Sequence, residues 1–138
     1  MCRSILVAVN RNSSRVDAIE TAFVYGEQFD AEIDVLYVVS TSLPRTSWAA
    51  EIREQYREEI LDEIDERAGD HDISVDISIR MGNLGRAVRS YVDEQTIDLV
   101  IVGVESRSSL GRLLLRENLV DQLAADISVP VMAVPTGH

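Results

Sequence analysis

The stretch "IDLVIVGVESRSSLGRLLLRE", Ile97 to Glu117, passes from a continuous apolar run, through a polar loop, into an apolar pattern of helical spacing. A short apolar run bounded by turn signals is what a parallel strand needs when helices cover both of its faces. In α/β proteins the loop after such a strand is a common place to hold phosphate. Here, after Gly103, that loop offers only Gly111. Three readings stay open: a phosphate loop that has lost its function, a loop retuned for another ligand, and a plain connector.

Working outward, strands and helices alternate along the whole chain. "SILVAV" (Ser4 to Val9) is a second continuous apolar run, followed at once by "NRNSS", a turn with Ser13 or Ser14 as the helix cap. Val16, Ile19, Phe23 and Gly26 then form one helical stripe, and "IDVLYVV" (Ile33 to Val39) is the next strand. "STSLPRTSW", with Pro44, reads as a loop. After it Ala49, Ile52, Tyr56, Ile60, Ile64 and Ala68 recur every three or four residues, the mark of one long amphipathic helix with a solvated acidic face.

"SVDISIRM" alternates instead: Val75, Ile77, Ile79 and Met81 point one way and Asp76, Ser78 and Arg80 the other. That pattern predicts a strand with one wet face near a sheet edge. "GNLGRAVRSYVDEQ" predicts a short helix burying Leu84, Val88, Tyr91 and Val92, and Leu115, Leu119, Leu123 and Ala124 a fourth helix. "SVPVMAVP" closes the chain as an edge or interface strand, because Pro130 and Pro135 cannot donate ladder hydrogen bonds. The resulting order implies a five-stranded, mostly parallel sheet with four helices on its two faces.

Composition narrows the function. The chain has 138 residues, 46% of them hydrophobic, which fills one core, so residues 1–138 are expected to form one domain. The formal net charge is −11, from 24 Asp and Glu against 13 basic residues, and every basic residue is Arg. Nucleic-acid binding draws its affinity from cations that neutralise phosphates, so DNA, RNA and anionic membranes are not expected as partners. Such a surface suits a salty cytoplasm, where the Debye length falls to about 3 Å at 1 M and self-repulsion is screened. The carboxylates follow no calcium-loop or zinc spacing, so no metal is expected. Lone Cys2 cannot form an internal disulfide, no apolar run approaches the roughly 20 residues of a membrane span, and no signal-peptide pattern is present. The chain is expected to be cytoplasmic.

Folds of this kind bind ligands at the carboxyl ends of strands where the strand order reverses. The two most apolar strands, ending at Val9 and Gly103, are the expected neighbours at that point. Catalysis finds little support. His71 lies in the polar turn "GDHDIS" and reads as a surface residue, as does His138, and no base can be placed beside Ser106, Ser108 or Ser109. Those serines read as loop hydroxyls, or as phosphorylation sites with Arg107 and Arg112 to receive the charge. A non-enzyme is expected.

The chain resembles the universal stress protein family over essentially its whole length. The likeness rests on "ILVAVN", "LYVV", "MGN", "DLVIVG" followed by "SRSSLGRLLL", and the closing "VPVMAV", all in one order. With its lysine-free acidity, the composition is of the haloarchaeal type. The resemblance implies a Rossmann-like sheet of order 3-2-1-4-5, dimers formed through the last strand, and a role in stress resistance, often with ATP as ligand. The edge position of Val131, Met132, Ala133 and Val134 points the same way, since antiparallel pairing with symmetry mates would cover an exposed edge.

ATP-binding members of that family carry Gly, two residues, Gly, nine residues, Gly, then Ser or Thr. On this sequence those positions hold Gly103, Ser106, Arg116 and Glu117. The family's aspartate after the first strand falls on Asn10, and backbone contacts to adenine would come from Val39. Glycine lets amide N–H groups approach phosphate with no Cβ in the way. Glu117 removes a hydroxyl bond worth about 1.5–3 kcal/mol. It also brings a carboxylate whose repulsion reaches about 4 kcal/mol at ~4 Å with an effective dielectric of ~20. Arg107 and Arg116 act the other way, because guanidinium groups clasp phosphate directly. Two classes follow: a stress-response module with a degenerate nucleotide loop and no cofactor, or a sensor that binds a nucleotide or another small anion through a retuned site.

Overall fold

The structure, a computed structural model, describes residues 3–9, 15–39, 49–69, 71, 73–104 and 127–135. Five strands form one parallel sheet: β1 (Ser4–Val9), β2 (Glu32–Val39), β3 (Val75–Met81), β4 (Leu99–Val104) and β5 (Val131–Pro135). Their spatial order is β3-β2-β1-β4-β5. Three helices are present among the described residues: α1 (Arg15–Phe29), α2 (Ala49–Ala68) and α3 (Leu84–Glu94). The expected fourth helix, with Leu115, Leu119, Leu123 and Ala124, lies outside the described residues, as do the Ser13/Ser14 cap and the loop from Ser40 to Trp48.

The sheet divides the core into two layers by strand alternation. On one face Ile5, Val7, Val9, Ile33, Val35, Tyr37, Val39 and Ile101 meet Ile19, Ala22 and Phe23 of α1 and Ile60 and Ile64 of α2. On the other, Leu6, Ala8, Leu36, Val38, Val100 and Val102 meet Val88 and Tyr91 of α3. This is why β1 and β4 carry unbroken apolar runs: every residue from Ile5 to Val9 is buried, and full burial of one such side chain contributes about 1.5–3 kcal/mol. Tyr56 and Ala68 complete the α2 stripe from its margin, and the side chains of Ala49 and Ile52 lie outside the described residues. In α3 the buried set is Gly85, Val88 and Tyr91; Leu84 and Val92, also expected there, pack only at its rim.

Helix ends follow local chemistry. At the end of α1, Asp30 takes φ 54°, and the Ala31 N–H donates to the Gly26 carbonyl at 2.8 Å, the closure of a Schellman turn. At the start of α3, Asn83 sits in extended backbone and its side-chain oxygen accepts from the Arg86 N–H at 3.1 Å. Gly82 before it has φ 126°, a conformation that favours glycine.

β3 is an edge strand, as its alternation predicts. Its polar face is not simply wet, however. Ser78 hydrogen-bonds Tyr91, and Arg80 lies 5.4 Å from the Tyr91 ring centroid while pairing with Glu94 at 2.6 Å. α3 covers that face because Tyr91 presents a ring to the arginine and a hydroxyl to the strand.

Candidate functional site

β1 and β4 lie side by side, with Ala8 opposite Val102 as their last matched pair. From β1 the chain proceeds to β2 on one side, and β4 has β5 on its other side, so the strand order reverses between them. The carboxyl ends of these strands therefore lie at a strand-order reversal, the position at which open α/β sheets hold ligands. The neighbours expected from the two most apolar strands are the observed ones.

The structure brings two of the predicted site residues to this edge. Gly103 is half-buried and stands opposite Val134 of β5. Val39 ends β2, the other neighbour of β1, with its side chain buried. The Val39 carbonyl accepts from the Gly82 N–H at 2.9 Å, which extends the β2–β3 pairing past Met81. One of its two lone pairs is thus engaged within the sheet. Asn10, Ser106, Arg107, Ser108, Ser109, Arg116 and Glu117 lie outside the described residues.

A concavity of about 310 Å³ opens where β3 meets α3 and is lined by Arg80, Met81, Gly82, Asn83, Arg86 and Ser90. The sequence reading missed it. Its signal was "MGN" followed by a helix with Arg three residues on: a turn that needs glycine, a cap, and a cation at the helix start. Part of its positive charge is spent locally, because the Arg80 hydrogen bond holds the Glu94 carboxyl below its usual range.

Two further titratable groups lie elsewhere in the fold, one in β2 and one in the turn ahead of β3. Burial pushes the Asp34 carboxyl up; a hydrogen bond from Tyr91 opposes this, while Asp76, its register partner on β3, adds to it. His71, expected at the surface, is only 14% exposed. It packs edge-on to Phe23 and contacts both Glu20 and Glu27 of α1. A turn residue is drawn inward here because α1 supplies two carboxylates and an aromatic ring beneath it. Among the described residues no group of three or more His, Cys, Asp or Glu side chains is placed to hold a metal. No helix among them is long and apolar enough to cross a membrane.

Comparison with known proteins points to one family. The model described as "Universal stress protein family" matches residues 1–135. A universal stress protein of Methanocaldococcus jannaschii is 22% identical over 139 aligned positions, covering 96% of this chain and 81% of that protein. Among solved structures, a universal stress protein in complex with cAMP superposes with a TM-score of 0.76 at 20% identity, covering 99% of both chains. An Arabidopsis thaliana family protein with AMP bound gives 0.61 at 14% identity, covering 98% of this chain and 92% of that one.

Proposed function

The chain belongs to the universal stress protein family, and from that premise we propose that it is a stress-response module whose nucleotide loop no longer holds ATP in the usual way. The observation that carries this reading is Glu117, a carboxylate where ATP-binding relatives place a phosphate-binding hydroxyl. Arg116 and Ser106 replace two of the three loop glycines, so only Gly103 of the four positions is kept. Glu117 would occupy the anion-favouring start of a helix in place of a phosphate. With one of the four positions kept, the residues present do not fit ATP.

The whole chain, residues 1–138, acts in this reading as one cytoplasmic domain without enzymatic activity. It pairs as a homodimer through Val131, Met132, Ala133 and Val134, and it works through protein partners or its dimer surface. The test is restoration. Arg116→Gly with Glu117→Ser should gain ATP binding by calorimetry in molar KCl; if the double variant stays as silent as the parent, the blocking role of Glu117 is wrong.

A second reading is favoured by the nucleotides held by relatives, cAMP in one solved structure and AMP in another. Here Arg107 and Arg116 rebuild the lost cradle, and a nucleotide or small anion binds across Asn10, Val39, Gly103 and Ser106 to Ser109. Arg116→Ala should then weaken AMP binding at least tenfold, about 1.4 kcal/mol. Unchanged affinity would exclude it.

A further inference from the structure

We propose that His71 is a proton-operated clamp, held as a doubly protonated imidazolium between Glu20 and Glu27, that ties α1 to the turn after α2. Both ring nitrogens meet carboxylates: Nδ1 contacts Glu27 Oε2, and Nε2 lies 3.2 Å from Glu20 Oε1. A neutral imidazole carries a single N–H, so in either tautomer one contact would set a nitrogen lone pair against a carboxylate oxygen. Only the charged ring donates at both. Glu20 and Glu27 stand two turns apart on one face of α1, and the Phe23 ring between them packs edge-on against the imidazole, 6.0 Å from its centroid.

The His71 backbone N–H donates to the Ala68 carbonyl at 3.0 Å, so the residue that carries the ring is anchored to the last turn of α2. Protonation therefore couples two elements distant in sequence. The charged groups set around the ring are Glu20 and Glu27 from α1, with Arg67 of α2 placed 3.9 Å from the other oxygen of Glu20. The flanking Asp70 and Asp72 lie outside the described residues. Burial opposes the charge, but the hydrogen bond to Glu27, then that to Glu20, outweighs it and raises the histidine above its ordinary value.

The sign follows from linkage. Because the folded state favours the proton, the clamp's contribution is complete below the unfolded value of about 6.5 and is lost as pH rises through the raised folded value. Loss of the proton leaves one carboxylate facing a lone pair, and the corner formed by the end of α1, the end of α2 and the start of β3 loosens. The device responds to alkalinisation, not to acid.

An imidazole ¹H–¹⁵N titration on the full chain tests this, with His138→Gln removing the second histidine signal. The result expected is a His71 midpoint above the ordinary imidazole value of about 6.5, with both nitrogens protonated below it. Glu27→Gln and Glu20→Gln should each lower that midpoint. Amide exchange at 24–29 and 73–75, corrected for intrinsic base catalysis, should rise as wild type passes its midpoint and should rise at lower pH in Glu27→Gln. A His71 midpoint at or below the ordinary value, or one indifferent to both substitutions, would overturn the charged bridge. Corrected exchange that stays flat through the midpoint would overturn the clamp.

Discussion

Gly26 makes the first residue-scale test, because it is the small residue that lets α1 lie close to β2. A Cβ there would stand 2.6 Å from Ile33 Cδ1 and 3.0 Å from Cγ1, and Ile33 is fully buried, so its side chain cannot swing into solvent. Helix propensity alone favours alanine by about 1 kcal/mol. Overpacking a filled core costs about 1–3 kcal/mol and should win. Gly26→Ala is expected to lower stability by about 1 kcal/mol in chemical denaturation, and a stabilised variant would mean the contact is looser than drawn. Tyr91 makes the second test. Its hydroxyl donates to Asp34, whose carboxyl burial already pushes up, so Tyr91→Phe should raise Asp34 further and cost about 1.5 kcal/mol at pH 7. Since a raised carboxyl binds its proton more readily in the folded state, that deficit should shrink as pH falls toward the unfolded value of about 3.9. A deficit that grows on acidification would contradict the assigned bond.

At the scale of elements, the N-terminus of α3 rests on one side chain. Asn83→Ala removes the acceptor for the Arg86 N–H and should cost about 1 kcal/mol, visible as a lower midpoint with an unchanged slope in urea. A neutral result would show that water caps the helix equally well. The elements themselves were legible in the sequence to an unequal degree. Continuous apolar runs identified β1 and β4 as central strands, and alternation from Val75 to Met81 identified β3 as an edge, because burial on one or two faces writes itself directly into residue order. What could not be read were partnerships across many residues. His71 finds Glu20 and Glu27 from 51 and 44 positions away. Asp34, Ser78 and Tyr91 converge only once β2, β3 and α3 are stacked. In local sequence such residues look like ordinary polar positions, so His71 read as surface and the polar face of β3 as wet. The adjacency of β1 and β4 was legible from topology, while the chemistry proposed at their ends rests on the identities at Ser106, Arg116 and Glu117, which lie outside the described residues.

For the whole molecule, β5 is an outer strand of the sheet, with Val131, Met132 and Val134 partly buried and Ala133 exposed. Antiparallel pairing of two β5 strands would satisfy its free edge, so light scattering in molar KCl should give twice the mass of one 15.4 kDa chain. A strictly monomeric species would refute that pairing. High salt matters because a net charge of −11 on a chain of 138 residues opposes compaction until it is screened. The central claim, that this family member has given up the usual ATP site, is tested most directly by titrating the purified protein with Mg-ATP, then ADP and AMP, in molar KCl by calorimetry. No saturable ATP binding is expected up to millimolar ligand; saturation at micromolar ATP, about −8 kcal/mol, would overturn the loss of the site.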